Sequence, residues 1–157
     1  MRAAPLLLTA CSGFLLAVLW MDFIFDAQVF GHRNAREELP EPVLASIAGY
    51  YHRATTTSQP MGRLIMIVMA ILLGALGFWA VRRREPGWVI AVSAVLAGAP
   101  ILLALIRTVP NAIRLGNRVG SPADQTRLAR SVARDHLLCL GFMFAFLALW
   151  VVRGAVV

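Results

Sequence analysis

Apolar residues dominate four stretches of the chain, at 5–30, 64–81, 88–106 and 137–152, and polar residues gather between them. A helix needs about 20 apolar residues to cross a bilayer. Inside lipid only helices and closed barrels pair every peptide group, and the period-two alternation of barrel strands is missing here. The pattern therefore predicts an all-α fold, a four-helix transmembrane bundle. It forms one domain over residues 1–157, with spans at about 5–30, 63–82, 87–109 and 135–153. The last apolar run is only 16 residues, so it must borrow Asp135 and His136 or continue past Arg153.

The polar connections are unequal. Six residues, Arg82 to Gly87, separate the second and third spans, whereas the first and third connections run to about 33 and 30 residues. In the first, Leu39-Pro40-Glu41-Pro42 reads as a turn, and Val43, Leu44, Ile47, Tyr50 and Tyr51 then recur at helical spacing. That predicts a short interfacial helix at about 43–52, lying over the bundle end as a cover. In the third, Ser121-Pro122-Ala123-Asp124 has a cap, a proline at the first helical position and an acid three residues on. The fourth helix is expected to begin near Pro122, several turns before the membrane.

Composition agrees with this reading. The chain is 59% hydrophobic and 15% charged, and its mean hydropathy is +0.73. A soluble domain carries about 45–50% apolar and about 25% charged residues. All fifteen cations are Arg, and with eight acids the net charge is +7. A basic surface can signal nucleic acid, but these Arg residues sit between apolar runs, as membrane-boundary residues do. Membrane lipid, and not nucleic acid, is the expected partner of an integral, multi-pass protein, with a bacterial inner membrane the expected location. Leu8-Thr9-Ala10-Cys11 after Arg2 resembles a lipoprotein cleavage box, but only about four apolar residues precede it where a signal core needs about 7–15. The first span is expected to be retained. Cys11 and Cys139 fall near opposite membrane faces, too far apart for a disulfide, and Cys139 reads as a small apolar filler.

Four crossings put both termini and the short connection on one side, face A, and both long connections on the other, face B. Face A reads as anchoring, with Trp79, Trp88 and Trp150 beside Arg82, Arg83, Arg84 and Arg153. Face B reads as chemistry, because its polar residues reach into the spans. Asp22 and Asp26 lie four apart on the first helix, Arg63 opens the second, Arg107 closes the third, and Asp135-His136 opens the membrane part of the fourth. Charges in hydrocarbon are costly and turn toward partners inside the protein. On the third helix Ser93, Ala97, Pro100, Ala104, Arg107, Asn111 and Arg114 share one stripe. On the fourth, Arg127, Arg130, Arg134, Leu138, Gly141, Ala145 and Ala148 do so. Small residues mark packed sides of membrane helices, which predicts that these Arg residues point inward. Pro100 and Pro110 are expected to bend the third helix.

Two readings of the acids stay open: structural ion pairs of Asp22 and Asp26 with Arg107 or Arg134, or catalytic groups. As catalytic candidates Asp22, Asp26 and His136 could each act as a general base. Arg107, Asn111, Arg114, Arg130, Arg134, Tyr51 and His52 are candidate substrate-binding residues, although Arg114 and Arg130 could equally touch lipid headgroups and Tyr51 and His52 could be interfacial anchors. A metal bound by the Asp pair with His136 or His52 lacks an ExxH motif, so neither metal nor cofactor is expected. Met61, Met66 and Met69 read as lipid-facing packing.

The layout of four spans, the segment Val109-Pro110-Asn111-Ala112-Ile113-Arg114-Leu115 after the third span and the Arg-rich approach to the fourth resemble the anthrone oxygenase-like membrane proteins. The resemblance implies a four-helix membrane fold, a pocket that includes Asn111 and Arg134, and oxygenation of the central carbon of an anthrone. Where that family often carries Trp-Asn before the Arg of the fourth span, this chain has Val132-Ala133-Arg134.

Three functions compete at this stage. One is an enzyme or binding protein for a small aromatic or quinone-like amphiphile. Another is a proton- or ion-coupled transport module, and the third is an accessory subunit of a membrane complex. With four cations set against Asp22, Asp26 and Asp135, the pocket is expected to prefer a neutral or anionic amphiphile. The Arg count, five on face A and ten on face B, places face B in the cytoplasm unless several of the ten line the pocket.

Overall fold

The computed structural model of the chain describes residues 3–32, 37–83 and 85–156. Arg84, read above among the anchors of face A, and Arg2, before the lipoprotein-like box, lie outside them. Six helices follow in order: α1 (Ala3–Phe30), α2 (Glu41–Thr56), α3 (Gln59–Arg82), α4 (Gly87–Leu103), α5 (Val109–Gly116) and α6 (Pro122–Val156). A π-helical turn at Ala104–Thr108 joins α4 to α5. No strand occurs among the described residues. Leu6–Phe30, Gln59–Arg82, Gly87–Gly116 and Pro122–Ala155 are each long and apolar enough to cross a membrane. The fold is the all-α bundle of a multi-pass membrane protein, with apolar side chains such as Val95, Leu102 and Phe144 exposed for lipid contact.

Helix α6 organises the bundle. Its 35 residues reach about 52 Å at 1.5 Å each, well beyond the roughly 30 Å of hydrocarbon. The surplus lies on face B. There its start is sealed by a capping box: Ser121 Oγ accepts the Asp124 N–H at 3.2 Å and Asp124 Oδ2 accepts the Ser121 N–H at 3.0 Å. Around this projecting part a second apolar cluster forms from Val29, Leu44, Ile47, Tyr51, Leu115 and Val132. Helix α2 presents its apolar stripe to that cluster and so covers the face-B end. The Leu39 N–H donates to Thr126 Oγ1 at 3.0 Å, tying the start of α2 to α6.

The face-A half is packed with apolar side chains. Leu8, Leu72, Leu76, Val89, Phe146 and Trp150 interlock there. Trp150, expected in an interfacial belt, is instead fully buried and donates its indole N–H to Ser93 Oγ at 3.0 Å. Trp88 stays 60% exposed.

Two helical phases differ from expectation. On the third span Ser93, Ala97 and Pro100 are buried as predicted, but the buried stripe then continues through Thr108, Ala112 and Leu115. A π turn inserts one extra residue, which rotates everything after it by about 100°. Arg107 and Arg114 are thereby turned outward and Asn111 is left half-buried. On α6 the buried stripe runs through Ala129, Val132, His136, Cys139, Met143 and Phe146. The expected stripe of Arg127, Arg134, Leu138, Gly141, Ala145 and Ala148 faces out.

Candidate functional site

The two acids of α1 sit under the cover helix. Asp26 is fully buried, and Asp22 stands one turn deeper in the span. Helix α2 crosses above them so that adjacent tyrosines each take one acid. The Tyr50 hydroxyl donates to Asp22 Oδ1 at 2.5 Å, and the Tyr51 hydroxyl donates to Asp26 Oδ1 at 2.7 Å. Tyr50 is held by its ring, which stacks on Phe25 with centroids 4.0 Å apart. Burial, then the facing carboxylates, push both phenols up from their usual value, so they stay protonated and act as donors.

His136 enters from α6. Its Nδ1 lies 2.6 Å from Asp26 Oδ2 and 3.2 Å from the Tyr51 hydroxyl oxygen. Since the Tyr51 hydrogen already goes to Asp26, the network assigns a hydrogen to Nδ1, donated to the same carboxylate. The other ring nitrogen, Nε2, remains the exchangeable one. It lies 3.9 Å from Asp22 Oδ2, too far for a hydrogen bond. That gap can be spanned by one oxygen that accepts from Nε2–H and donates to Asp22.

Asp22 and His136 lie at one end of a cavity of about 830 Å³ whose walls are mostly apolar, among them Leu15, Leu19, Met69, Ile101, Cys139 and Met143. Thr55 at the end of α2 and Gln59 and Arg63 at the start of α3 also line it. The cavity exists because α3 stands apart. Leu72 and Leu76, in its second half, are its only buried residues. No described residue of α3 comes within 8 Å, Cα to Cα, of α5 or α6. The first half of α3 thus leaves a lateral cleft toward lipid, and Met66 and Met69, expected to face lipid, line it. A second cavity of about 440 Å³ reaches the same Asp22, His136 and Thr108 from face B, with Arg53, Thr55, Thr57 and Ser58 in its wall.

The other candidates are placed elsewhere. Neither acid of α1 pairs with Arg107 or Arg134. Arg107, 47% exposed, sets its Nε 3.2 Å from Asp135 Oδ2 and donates through Nη2 to Ser131 Oγ at 2.9 Å. Asp135 is buried at 1% exposure, so this pair satisfies it beside His136. Arg114, Arg134 and His52 are exposed, and Asn111 is half-buried. Arg130 donates to the Glu37 carbonyl at 2.9 Å. None of these residues, nor Arg107, lines either cavity, so the Arg lining and the Asn111 and Arg134 pocket expected above are corrected. The charge argument changes with them: the lipid-side cavity is lined by one carboxylate, Asp22, one imidazole, His136, and one guanidinium, Arg63, so no excess of cations is left to favour an anion. Sequence reasoning passed over Tyr50, counted in the apolar spacing of the cover helix, although two adjacent tyrosines on an amphipathic helix match two acids one turn apart. Among the described residues no group of three or more His, Cys, Asp or Glu is placed to hold a metal.

No known protein family, curated protein or solved structure matches the chain.

Proposed function

We propose that the protein takes a small, neutral, ring-bearing amphiphile from the bilayer and exchanges a hydroxyl proton with it at Asp22 and His136. The observation that carries this reading is the 3.9 Å gap between His136 Nε2 and Asp22 Oδ2 at one end of a lipid-side cavity. A phenol or hydroquinone oxygen fits that gap as both acceptor and donor. Asp22 takes the proton, the imidazolium steadies the oxygen left behind, and Asp26 with Tyr51 holds the ring in place. The cavity volume of about 830 Å³ suits such a molecule, within the roughly 300–1,000 Å³ usual for ligand pockets. The resemblance to anthrone oxygenase-like proteins contributes the same ligand class, a planar phenolic ring. Thermal-shift measurements on the detergent-purified protein test the reading. Lipophilic phenols are expected to stabilise it, their methyl ethers and matched carboxylates to do so far less, and His136→Gln to abolish the difference. Equal stabilisation by phenol and ether would reject the bridging hydroxyl.

Orientation follows from the Arg positions. Arg107, Arg114, Arg118, Arg127, Arg130 and Arg134 do not line the cavities, so these six count as surface charge against the five Arg of face A. The count then favours face B in the cytoplasm of a bacterial cell, with both termini outside. A reporter at the C-terminus that is active only outside the cytoplasm is expected to be active, and the opposite result would invert the assignment.

A further inference from the structure

The two cavities meet at one place. Asp22, His136 and Thr108 belong to the walls of both, whereas Asp26 belongs to neither. One cavity opens between helices toward lipid. The other ends among Arg53, Thr57 and Ser58, which line this cavity and not the first, at the polar junction of α2 and α3 on face B. Toward face A the bundle closes on Leu8, Leu72, Leu76, Phe146 and Trp150. The two buried hydroxyls on that side are already engaged, Ser12 with the Leu8 carbonyl at 2.8 Å and Ser93 with the Trp150 indole at 3.0 Å. A proton at Asp22 therefore has polar neighbours in one direction.

We infer that the Asp22–His136 pair exchanges protons with the water of face B alone, through the smaller cavity, so that a proton taken from a ligand in the bilayer leaves on one side of the membrane. The step balances without electrons. The ligand O–H bond breaks as an Asp22 O–H bond forms, and that bond then breaks as water in the smaller cavity takes the proton. Delivery of a ligand's proton rests on the function proposed above; one-sided access does not.

The charges around the pair come from every packed element. Helix α1 supplies Asp22 and Asp26, and α2 supplies Tyr50, Tyr51 and, in the cavity wall, Arg53. Helix α3 supplies Arg63 in the wall of the lipid-side cavity. Helix α6 supplies Asp135, balanced by Arg107 of the π turn. Tyr50 is a positioning residue: by occupying Asp22 Oδ1 it leaves Oδ2 as the oxygen nearest the imidazole.

The test needs no ligand. The full chain, carrying a protease-removable C-terminal tag, is reconstituted in vesicles, and the share of molecules with face A outward is read from tag removal. The carboxyl infrared band that is missing in Asp22→Asn is then followed while pH is stepped outside the vesicles only, over about pH 4 to 9, bracketing ordinary carboxylate and imidazole values. An ionophore afterwards equalises both sides. The external step is expected to move a share of the band equal to the face-B-outward fraction, with the remainder moving after the ionophore. A share equal to the face-A-outward fraction, the whole band moving at once, or no moving Asp22 band would each overturn the inference. Failure of phenols to bind, with the band behaving as expected, would reject the proposed ligand and leave one-sided access standing.

Discussion

Asp26→Leu is expected to destabilise the folded protein by about 3–5 kcal/mol, the usual cost of removing one partner from a buried charged network. Asp26 is fully buried and accepts from both the Tyr51 hydroxyl and His136 Nδ1. Leucine strands both donors where water does not replace the lost acceptor. The loss should appear as a fall of about 10 °C in the midpoint of thermal unfolding in detergent. Asp26→Asn keeps one acceptor oxygen and should lose less. The triple change Asp26→Leu, Tyr51→Phe, His136→Leu removes donors and acceptor together and is expected to regain most of the stability, because apolar groups of similar shape can replace a polar network at little cost. If the triple variant is no more stable than Asp26→Leu, the network is not what holds α1, α2 and α6 together.

Gly116 carries the second large effect. A Cβ added there would lie 2.7 Å from the His52 nitrogen and 3.0 Å from both His52 Cα and the Tyr51 carbonyl carbon. These are backbone atoms of α2, which cannot rotate aside as a side chain could. Gly116→Ala therefore has to lift the cover helix, at about 1–3 kcal/mol for overpacking, and Gly116→Val more. The lift should also draw Tyr51 from Asp26 and open the smaller cavity. Gly141 is the matched control: nothing lies within 4 Å of its added Cβ, and alanine in a helix interior gains about 0.5–1 kcal/mol over glycine. Unfolding midpoints of the two alanine variants should thus move in opposite directions. Equal midpoints would mean that the α2–α5 crossing is looser than described.

The spans and the cover helix were legible because each rests on a period that burial enforces: long apolar runs for lipid, and Leu44, Ile47 and Tyr51 on one side of α2. The cap at Ser121 was legible for a local reason, the four residues Ser121 to Asp124 closing on themselves. The phase beyond Pro100 was not. A one-residue π insertion leaves no mark on composition, and continuing the regular period through Ala104–Thr108 turned Arg107, Asn111 and Arg114 inward. On α6 the small residues Gly141, Ala145 and Ala148 suggested a packed side, but this helix buries larger ones, Met143, Phe146 and Trp150. Arg127 and Arg134 lie on the part of α6 that projects past the hydrocarbon, where a cation has no reason to turn inward. The convergence of Asp22, Asp26 and His136 at one end was legible from depth along the helices. Their partners were not, since pairing depends on which helix crosses where, and α2 brought two tyrosines where arginines were expected.

The bridging hydroxyl can be seen through the ligand itself. A lipophilic nitrophenol, bound to the purified protein at a pH below its solution pKa, absorbs differently as phenol and as phenolate. With wild-type protein the bound dye is expected to show the phenolate band, and with Asp22→Asn, at comparable occupancy, the neutral band. The same neutral band on both proteins, or no bound dye on wild type, would contradict proton exchange at Asp22 and His136.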